Sequence, residues 1–420
     1  MGPLGVRLAL ADVDLLDTAT QQAPYDAYQV LRDEAPVWQM PQTGWFVVTR
    51  YADLSEVVRR PEVYSMRVGA RLGNPYQTDP EVHRIFKEEG WINPGSLSTD
   101  PPVHNGYRGL IDGSFSAKRV RALEAGIEKL VHALIDDFTA GGATRSELVR
   151  DFCYPLPMQV ITERLGLPLE DMARLKAWSE AWVEPFAMNL GEERRREVAR
   201  SNVALQHYLV EKLEQKRRQP GEDILSDLVQ GRLPDGRELE TPELLSIAEQ
   251  ALVGGNETTT NAIASGVKLL IDNPEQLALL RADPSLVAGF VEEVLRLESP
   301  TQGLFRVTTR DTALHDVAIP RGSLVHLRFG AANRDPRQFP DPDRLDVRRS
   351  NARTQLAFSQ GPHVCLGAPL ARQEMSIAFR ALIERLAEFG LAVPAETLRY
   401  APGFTLRALE ALPIEFRTNR

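Results

Sequence analysis

Phe358-Ser359-Gln360-Gly361-Pro362-His363-Val364-Cys365-Leu366-Gly367, continuing into Ala368-Pro369-Leu370-Ala371-Arg372, is the most informative part of this 420-residue chain. Glycine and proline keep the residues before Cys365 out of regular structure, and the pattern predicts a helix beginning just after it. A cysteine at a helix N-terminus meets free backbone N–H groups and the positive end of the helix dipole. Both favour thiolate over thiol. Gly361 and Gly367 lack Cβ atoms, which lets backbone approach something flat and bulky. The second of the two cysteines, Cys153 in Asp151-Phe152-Cys153-Tyr154-Pro155, has no such context and reads as a buried inert thiol. Two cysteines make neither a disulfide framework nor a four-thiolate metal site.

The pattern F-x-x-G-x-H-x-C-x-G, made by Phe358, Gly361, His363, Cys365 and Gly367, resembles the haem-binding loop of the cytochrome P-450 family. The resemblance runs from about Pro24 to the C-terminal strands. It implies haem b (iron protoporphyrin IX) with Cys365 as the iron's thiolate ligand, and Phe358, His363 and Gly367 among the cofactor-binding residues. A thiolate pushes electron density onto haem iron and favours O–O cleavage, which separates oxygen activation from oxygen carriage.

Upstream, Thr241-Pro242-Glu243 opens the longest helical candidate, with Thr241 suited to the N-cap and Pro242 to the first helical position. Its apolar pattern covers 244–271 and stops at Asp272-Asn273-Pro274, a length of roughly 45 Å. Inside it, Ala251-Leu252-Val253-Gly254-Gly255-Asn256-Glu257-Thr258-Thr259-Thr260 places two glycines mid-helix, each unfavourable by roughly 1 kcal/mol relative to alanine. Such a defect often marks a functional site, although a Gly-Gly packing contact in an ordinary helix also explains it. The stretch resembles the family's A-G-x-E-T-T element. That match implies Gly255 near the cofactor, Thr258 hydrogen-bonded to the bound oxygen and Glu257 relaying protons. Gly254 stands where the family usually has alanine, and Asn256 where bacterial members often have histidine.

Glu293-Val294-Leu295-Arg296 alone reads as a common i,i+3 surface ion pair. Placed before the cysteine loop it resembles the family's E-x-x-R element, whose third partner maps to Arg344 in Pro342-Asp343-Arg344, a structural role. Haem carries two propionates that need cations. By the same resemblance these are His104 and Arg108, four apart on one helix face after Asp100-Pro101-Pro102-Val103, together with Arg306 and His363.

The remaining chain is mostly helical with a small β portion, so the expected class is mainly α (α+β), with the P-450 fold and its long distal helix over haem. Gly44-Trp45-Phe46-Val47-Val48-Thr49 predicts a strand, 54–60 a short helix, and 66–98 a long irregular connection. From about 102 to 218 the pattern is helical, with Leu123, Ile127, Leu130, Leu134 and Phe138 on one face. Helices are predicted around 286–297 and 370–389, a strand at 323–327, and Pro/Asp-rich coil at 333–348. With no linker or repeat, 1–420 reads as a single haem domain behind a short flexible N-terminus, 1–20.

A net charge of −9 with no basic run excludes a nucleic-acid footprint. Glu192-Glu193-Arg194-Arg195-Arg196-Glu197 mixes signs and reads as a solvated helix face. No stretch of 18 apolar residues spans a bilayer. The start Met1-Gly2-Pro3-Leu4-Gly5-Val6-Arg7 matches neither a secretory signal nor a myristoylation pattern, so a cytoplasmic monomer is expected. No flavin or iron–sulfur segment remains. The resemblance therefore implies electrons from a ferredoxin and its NAD(P)H-dependent reductase, with Lys118, Arg119, Arg121 and Arg372 as candidate docking cations. The implied activity is O2-dependent hydroxylation of a hydrophobic small molecule. Its pocket would draw on 66–98 (Trp91, Ile92 and Leu97 among them), Pro185-Phe186-Ala187-Met188-Asn189-Leu190, the distal helix and 301–305. A peroxide-driven peroxygenase and a non-catalytic haem-thiolate gas sensor or carrier are the rival readings. Glu257-Thr258 argues against the first, and the lack of an output segment against the second.

Overall fold

The long apolar run forms a 32-residue helix, Thr241–Asp272, about 48 Å in length. In the computed structural model, residues 8–68, 79–187 and 190–419 are described, and of residues 186 and 187 only the backbone. The N-cap is Glu240, one residue before the expected Thr241. Its side chain accepts from the N3 backbone while Glu243 accepts from the Glu240 N–H, a reciprocal capping box that outcompetes a lone threonine cap. The helix packs against Pro155–Leu165, Ala368–Arg385 and Val287–Glu298 in the largest apolar cluster of the protein.

Helices Val103–Asp112, Ala117–Ala122, Glu124–Thr139, Pro155–Leu165, Met172–Val183 and Glu192–Arg218 account for the helical pattern from 102 to 218. The buried stripe of Glu124–Thr139 is Ile127, Val131, Ile135 and Phe138. Leu130 and Leu134 lie at its margin and Leu123 precedes the first turn, so the inward face is rotated from the one expected.

Residues 66–98 are not wholly irregular. Helix Pro80–Glu89 starts at Asp79, whose carboxylate accepts from the Glu81 and Val82 N–H groups, and it buries Val82, Ile85 and Phe86 against Ala199 and Val203. Residues 69–78 of that stretch lie outside the described residues, as do 1–7 and 188–189. The expected flexible lead-in is, from residue 8, built into the protein: the 3-10 turn Leu10–Asp12 and the short α-helix Thr18–Gln22 flank buried Val13 and Leu15.

Strand Phe46–Val48 pairs antiparallel with Val37–Gln39 and parallel with Leu324–Leu327. Leu304–Thr308 and Tyr64–Ser65 complete that five-stranded sheet. In the register of its central pair, Phe305 faces His326 and Arg306 faces Val325. Helix Ala368–Arg385 ends earlier than predicted, because Leu386–Leu391 leaves it to pair as a strand with Pro413–Thr418. Residues 333–348 contain only turns. Among the described residues, no helix is long and apolar enough to cross a membrane.

Candidate haem site

A 3-10 turn, Gly361–His363, precedes Cys365, and the Cys365 N–H donates to the Phe358 carbonyl at 2.8 Å. Gly361 has φ 71°, and a Cβ there would lie 2.6 Å from the Val58 carbonyl oxygen. Its freedom therefore serves a close backbone contact within the protein rather than a flat ligand. Cys365 is exposed, unlike the buried Cys153. Burial pushes the thiol's pKa up. The N–H groups of Gly367 and Ala368 and the charges of Arg108 and Arg372 push it down, as expected ahead of a helix. A Cβ on Gly367 would meet only Cys365 Sγ, at 4.0 Å. Phe358 lies beneath the Arg372 guanidinium, 4.6 Å from its ring centre. The other thiol, Cys153, is fully buried and its pKa is raised by that burial, in keeping with an inert side chain.

The four expected cationic groups converge. His104 and His363 stack with ring centres 4.1 Å apart. His104 Nε2 lies 3.1 Å from the Pro362 carbonyl oxygen, and Arg108 donates to the carbonyls of Pro362 and Val364 at 3.2 and 2.6 Å. Arg306 is 2% exposed and donates to the Phe305 carbonyl at 2.8 Å. Burial, and then the neighbouring His104, Arg306 and Arg108, drive the pKa of His363 down to about 3. Burial lowers that of Arg306 to about 10, with Asp100 pulling the other way. His104 Nδ1 and His363 Nε2 are buried without partners. Among the described residues only Arg108 of the four has a carboxylate in contact, Asp112 at 3.2 Å. A cluster of donors beside a thiol with a single carboxylate, Asp112, in contact fits a flat group bearing two carboxylates.

In the long helix, Thr258 Oγ1 donates to the Gly254 carbonyl at 3.0 Å. Gly254 is exposed, with nothing within 4 Å of an added Cβ. Gly255 differs from expectation. A Cβ there would meet Ile161 Cγ1 at 2.7 Å and Cδ1 at 2.8 Å, so this glycine allows two helices to touch and does not face the cofactor. The mid-helix defect is thus a packing contact at Gly255 and an open face at Gly254. Gln250, one turn before Gly254, is also exposed in this otherwise buried helix. A polar or small residue at every fourth position (Gln250, Gly254, Thr258) was a legible signal of that face. Glu257 points away from it, toward the helix Met172–Val183. Burial, then Glu180, raise its pKa, against Lys176 and Ser179. Neighbouring Asn256, fully buried, donates to Ser179 Oγ at 3.3 Å and to Glu257 Oε1 at 3.4 Å.

Sequence reasoning missed Glu249. It is 3% exposed, accepts from Asn93 Nδ2 at 3.2 Å and Trp182 Nε1 at 3.3 Å, and keeps Oε1 without a partner. Burial raises its pKa to about 7 against the donors Trp182, Gln206 and Asn93.

Glu293 and Arg296 are both fully buried and bidentate, at 2.6 and 2.9 Å. The third side chain is Arg349, not Arg344: Arg349 Nε lies 3.1 Å from Glu293 Oε1. The turn closed by the Arg344 N–H on the Asp341 carbonyl leaves the Arg344 side chain exposed and its carbonyl inward. That carbonyl accepts from Arg296 and Arg349 at 3.2 and 3.1 Å. The docking patch is also smaller than expected. Lys118 and Arg121 are exposed, but Arg119 is paired with Asp227, and Arg372 with Glu292 at 2.6 Å. Trp91 and Leu97 pack on the main core, and Ile92 and Leu304 are exposed.

Residues 170–398 match the family model described as Cytochrome P450. The chain is 39% identical over 402 residues to the cytochrome P450 monooxygenase PikC of Streptomyces venezuelae, covering 94% of this chain and 92% of that one. To 6-deoxyerythronolide B hydroxylase of Saccharopolyspora erythraea it is 35% identical over 399 residues, covering 93% and 95%. The solved structure of cytochrome P450 CYP109Q5 from Chondromyces apiculatus superposes with a TM-score of 0.85 at 34% identity, over 98% of this chain and 99% of that one. Fold and relatives define a haem-thiolate monooxygenase whose cofactor is haem b. The chain belongs to the cytochrome P450 family.

Proposed function

We propose that this protein hydroxylates a hydrophobic small molecule with O2, taking two electrons from a ferredoxin and its NAD(P)H-dependent reductase. One oxygen atom enters the substrate and the other leaves as water, consuming two electrons and two protons. The observation that carries the site assignment is the exposed Cys365 two residues from His363, where His104, Arg108 and Arg306 converge with a single carboxylate, Asp112, in contact among the described residues. Cys365 would hold the haem iron, and His104, Arg108, Arg306 and His363 the propionates. When bound, haem supplies the activation of dioxygen.

The chain's own residues arrange the protons. Thr258 Oγ1, anchored on the Gly254 carbonyl, holds a hydroxyl at the open face of the helix. Glu257, its pKa raised by burial, lies on the Glu180 and Lys176 side of the helix and would have to turn toward Thr258 to hand on a proton. This pair favours an O2-dependent reaction over a peroxide-driven one. Gln250 and Gly254 line the same face, and Leu304 is a further apolar contact for substrate. The relatives named above include a 6-deoxyerythronolide B hydroxylase.

Spectral titration of the purified ferric protein against hydrophobic compounds tests the reading. A low- to high-spin shift with one chemical class, abolished in Cys365→Ser, is expected. No haem band after expression with adequate haem supply would overturn it. Turnover with a surrogate ferredoxin pair, set beside turnover with peroxide alone, separates the monooxygenase from the peroxygenase.

A further inference from the structure

Next to Glu293 in sequence, Glu292 makes a separate set of contacts. It lies on the helix Val287–Glu298 and is 7% exposed. Arg372 donates to both of its oxygens, from Nε to Oε1 at 2.6 Å and from Nη2 to Oε2 at 3.2 Å. Gln355 Nε2 donates to Oε2 as well, at 3.1 Å.

Both partners lead to the cysteine loop. The Arg372 guanidinium stands over the Phe358 ring, 4.6 Å from its centre. Phe358 in turn accepts from the Cys365 N–H through its carbonyl at 2.8 Å. One residue before Phe358, the Ala357 N–H donates to Oε1 of buried Gln355 at 2.6 Å. Glu292 therefore reaches the Phe358 segment by two routes, one through Arg372 and one through Gln355.

The contact is one of charge as well as of position. A guanidinium keeps its proton, so Arg372 is a permanent cation. Its charge, like that of Arg108, acts on the Cys365 sulfur. Glu292 opposes that charge in the two-point geometry that matches a guanidinium best. An exposed ion pair contributes little because water and side-chain entropy compete with it. Here the carboxylate is buried and a second donor, Gln355, fixes it.

We propose that Glu292 is a positioning residue for the haem site, anchoring Arg372 and the Phe358 segment and offsetting the Arg372 charge, so that the reduction potential of bound haem depends on it. This role presupposes Cys365 as the iron's ligand, as in the function proposed above. The step concerned is the one-electron reduction of ferric to ferrous haem, with the electron drawn there from ferredoxin. Gaining an electron adds one negative charge at the site. An unopposed cation nearby favours the ferrous form, and an unopposed carboxylate disfavours it.

The test is spectroelectrochemical titration of the haem-loaded protein, with saturating imidazole to fix the sixth iron ligand. Glu292→Gln should raise the ferrous-to-ferric ratio at a fixed potential by roughly three- to tenfold, tenfold being about 59 mV for a one-electron couple. Arg372→Gln, which leaves Glu292 unopposed, should lower it by a similar factor. The double substitution should return to within about twofold of the wild type, because both charges are then gone. Simple loosening of the loop would move both single variants in the same direction, and that result overturns the proposal. An unchanged potential in both does so too. Should Glu292→Gln lose haem, Arg372→Gln decides alone: a fall supports the proposal, and an unchanged or raised potential refutes it. A wild-type protein that takes up no haem overturns the functional reading and this role with it, whereas haem-loaded variants without the opposite shifts overturn this role only.

Discussion

Replacing Gly255 by alanine sets two energies against each other. A mid-helix glycine is worse than alanine by about 1 kcal/mol, so propensity alone favours the substitution. Against this, the new Cβ would lie 2.7 Å from Ile161 Cγ1, 2.8 Å from Cδ1 and 3.2 Å from Cβ. The Cδ1 methyl can rotate away, but Ile161 Cβ is fixed to the helix Pro155–Leu165, so the two helices must separate by a few tenths of an ångström. Overpacking of this kind costs about 1–3 kcal/mol. The net expectation is a loss of about 1 kcal/mol. Gly254→Ala is the control: nothing lies within 4 Å of its Cβ, so it should gain up to about 1 kcal/mol. Guanidinium unfolding of both haem-loaded variants, compared at equal slopes, measures the difference. Ile161→Ala alone should cost about 2–5 kcal/mol. Combined with Gly255→Ala it should cost less than the sum, with a coupling of about 1–2 kcal/mol. Equal stabilisation by Gly255→Ala and Gly254→Ala, or strict additivity with Ile161→Ala, would refute the assignment of Gly255 to helix packing.

Arg349→Met should destabilise the protein by about 2 kcal/mol, since it strips one cation from the fully buried Glu293, while Arg344→Met should change stability by less than about 0.5 kcal/mol. Thermal unfolding ranks the two, and the reverse order would return the third role to Arg344. Thr258→Ala should retain haem and consume reducing equivalents at an undiminished rate while releasing them as peroxide. Tight coupling in that variant, measured as product per NAD(P)H, would defeat the proton role of Thr258. Glu249 binds its proton more tightly in the folded state than unfolded, so its stabilising contribution is complete below pH 4.5 and is lost as pH rises through about 7. Glu249→Gln should therefore gain on the wild type between pH 5 and pH 8, by up to about 3 kcal/mol in denaturant-derived stability. A gap that does not change with pH would show that Glu249 stays ionised.

The cysteine loop was legible because its chemistry is local. Glycine, proline and the helix start act on Cys365 through neighbours in sequence, and the structure places Gly367 and Ala368 N–H groups at the sulfur as that reading required. The converging cations were reachable only through resemblance, because His104, Arg306 and His363 come from three separated segments. The errors share one cause, which is that local pattern does not say which side of an element a residue faces. Gly254 and Gly255 look equivalent in sequence, yet a rotation of 100° puts one at open space and the other on Ile161. Arg344 and Arg349 both lie in or beside irregular coil, where no period tells which side chain turns inward. Glu249 was hidden by company: a carboxylate in an amphipathic pattern looks solvated until Asn93 and Trp182 arrive from distant segments.

Arg306 makes the clearest link between stability and function in this fold. It lies in strand Leu304–Thr308, is 2% exposed, and makes no ion pair with a carboxylate among the described residues. Desolvation lowers its pKa to about 10, with Asp100 pulling the other way. A chain selected for stability alone would fill such a position with an apolar residue of similar volume, since a buried charge rarely improves on one. Retaining the guanidinium makes sense where the missing negative charge arrives with a ligand that binds only the folded form. In the function proposed above that charge is a haem propionate, and haem occupancy would shift the folding equilibrium toward the native state by mass action.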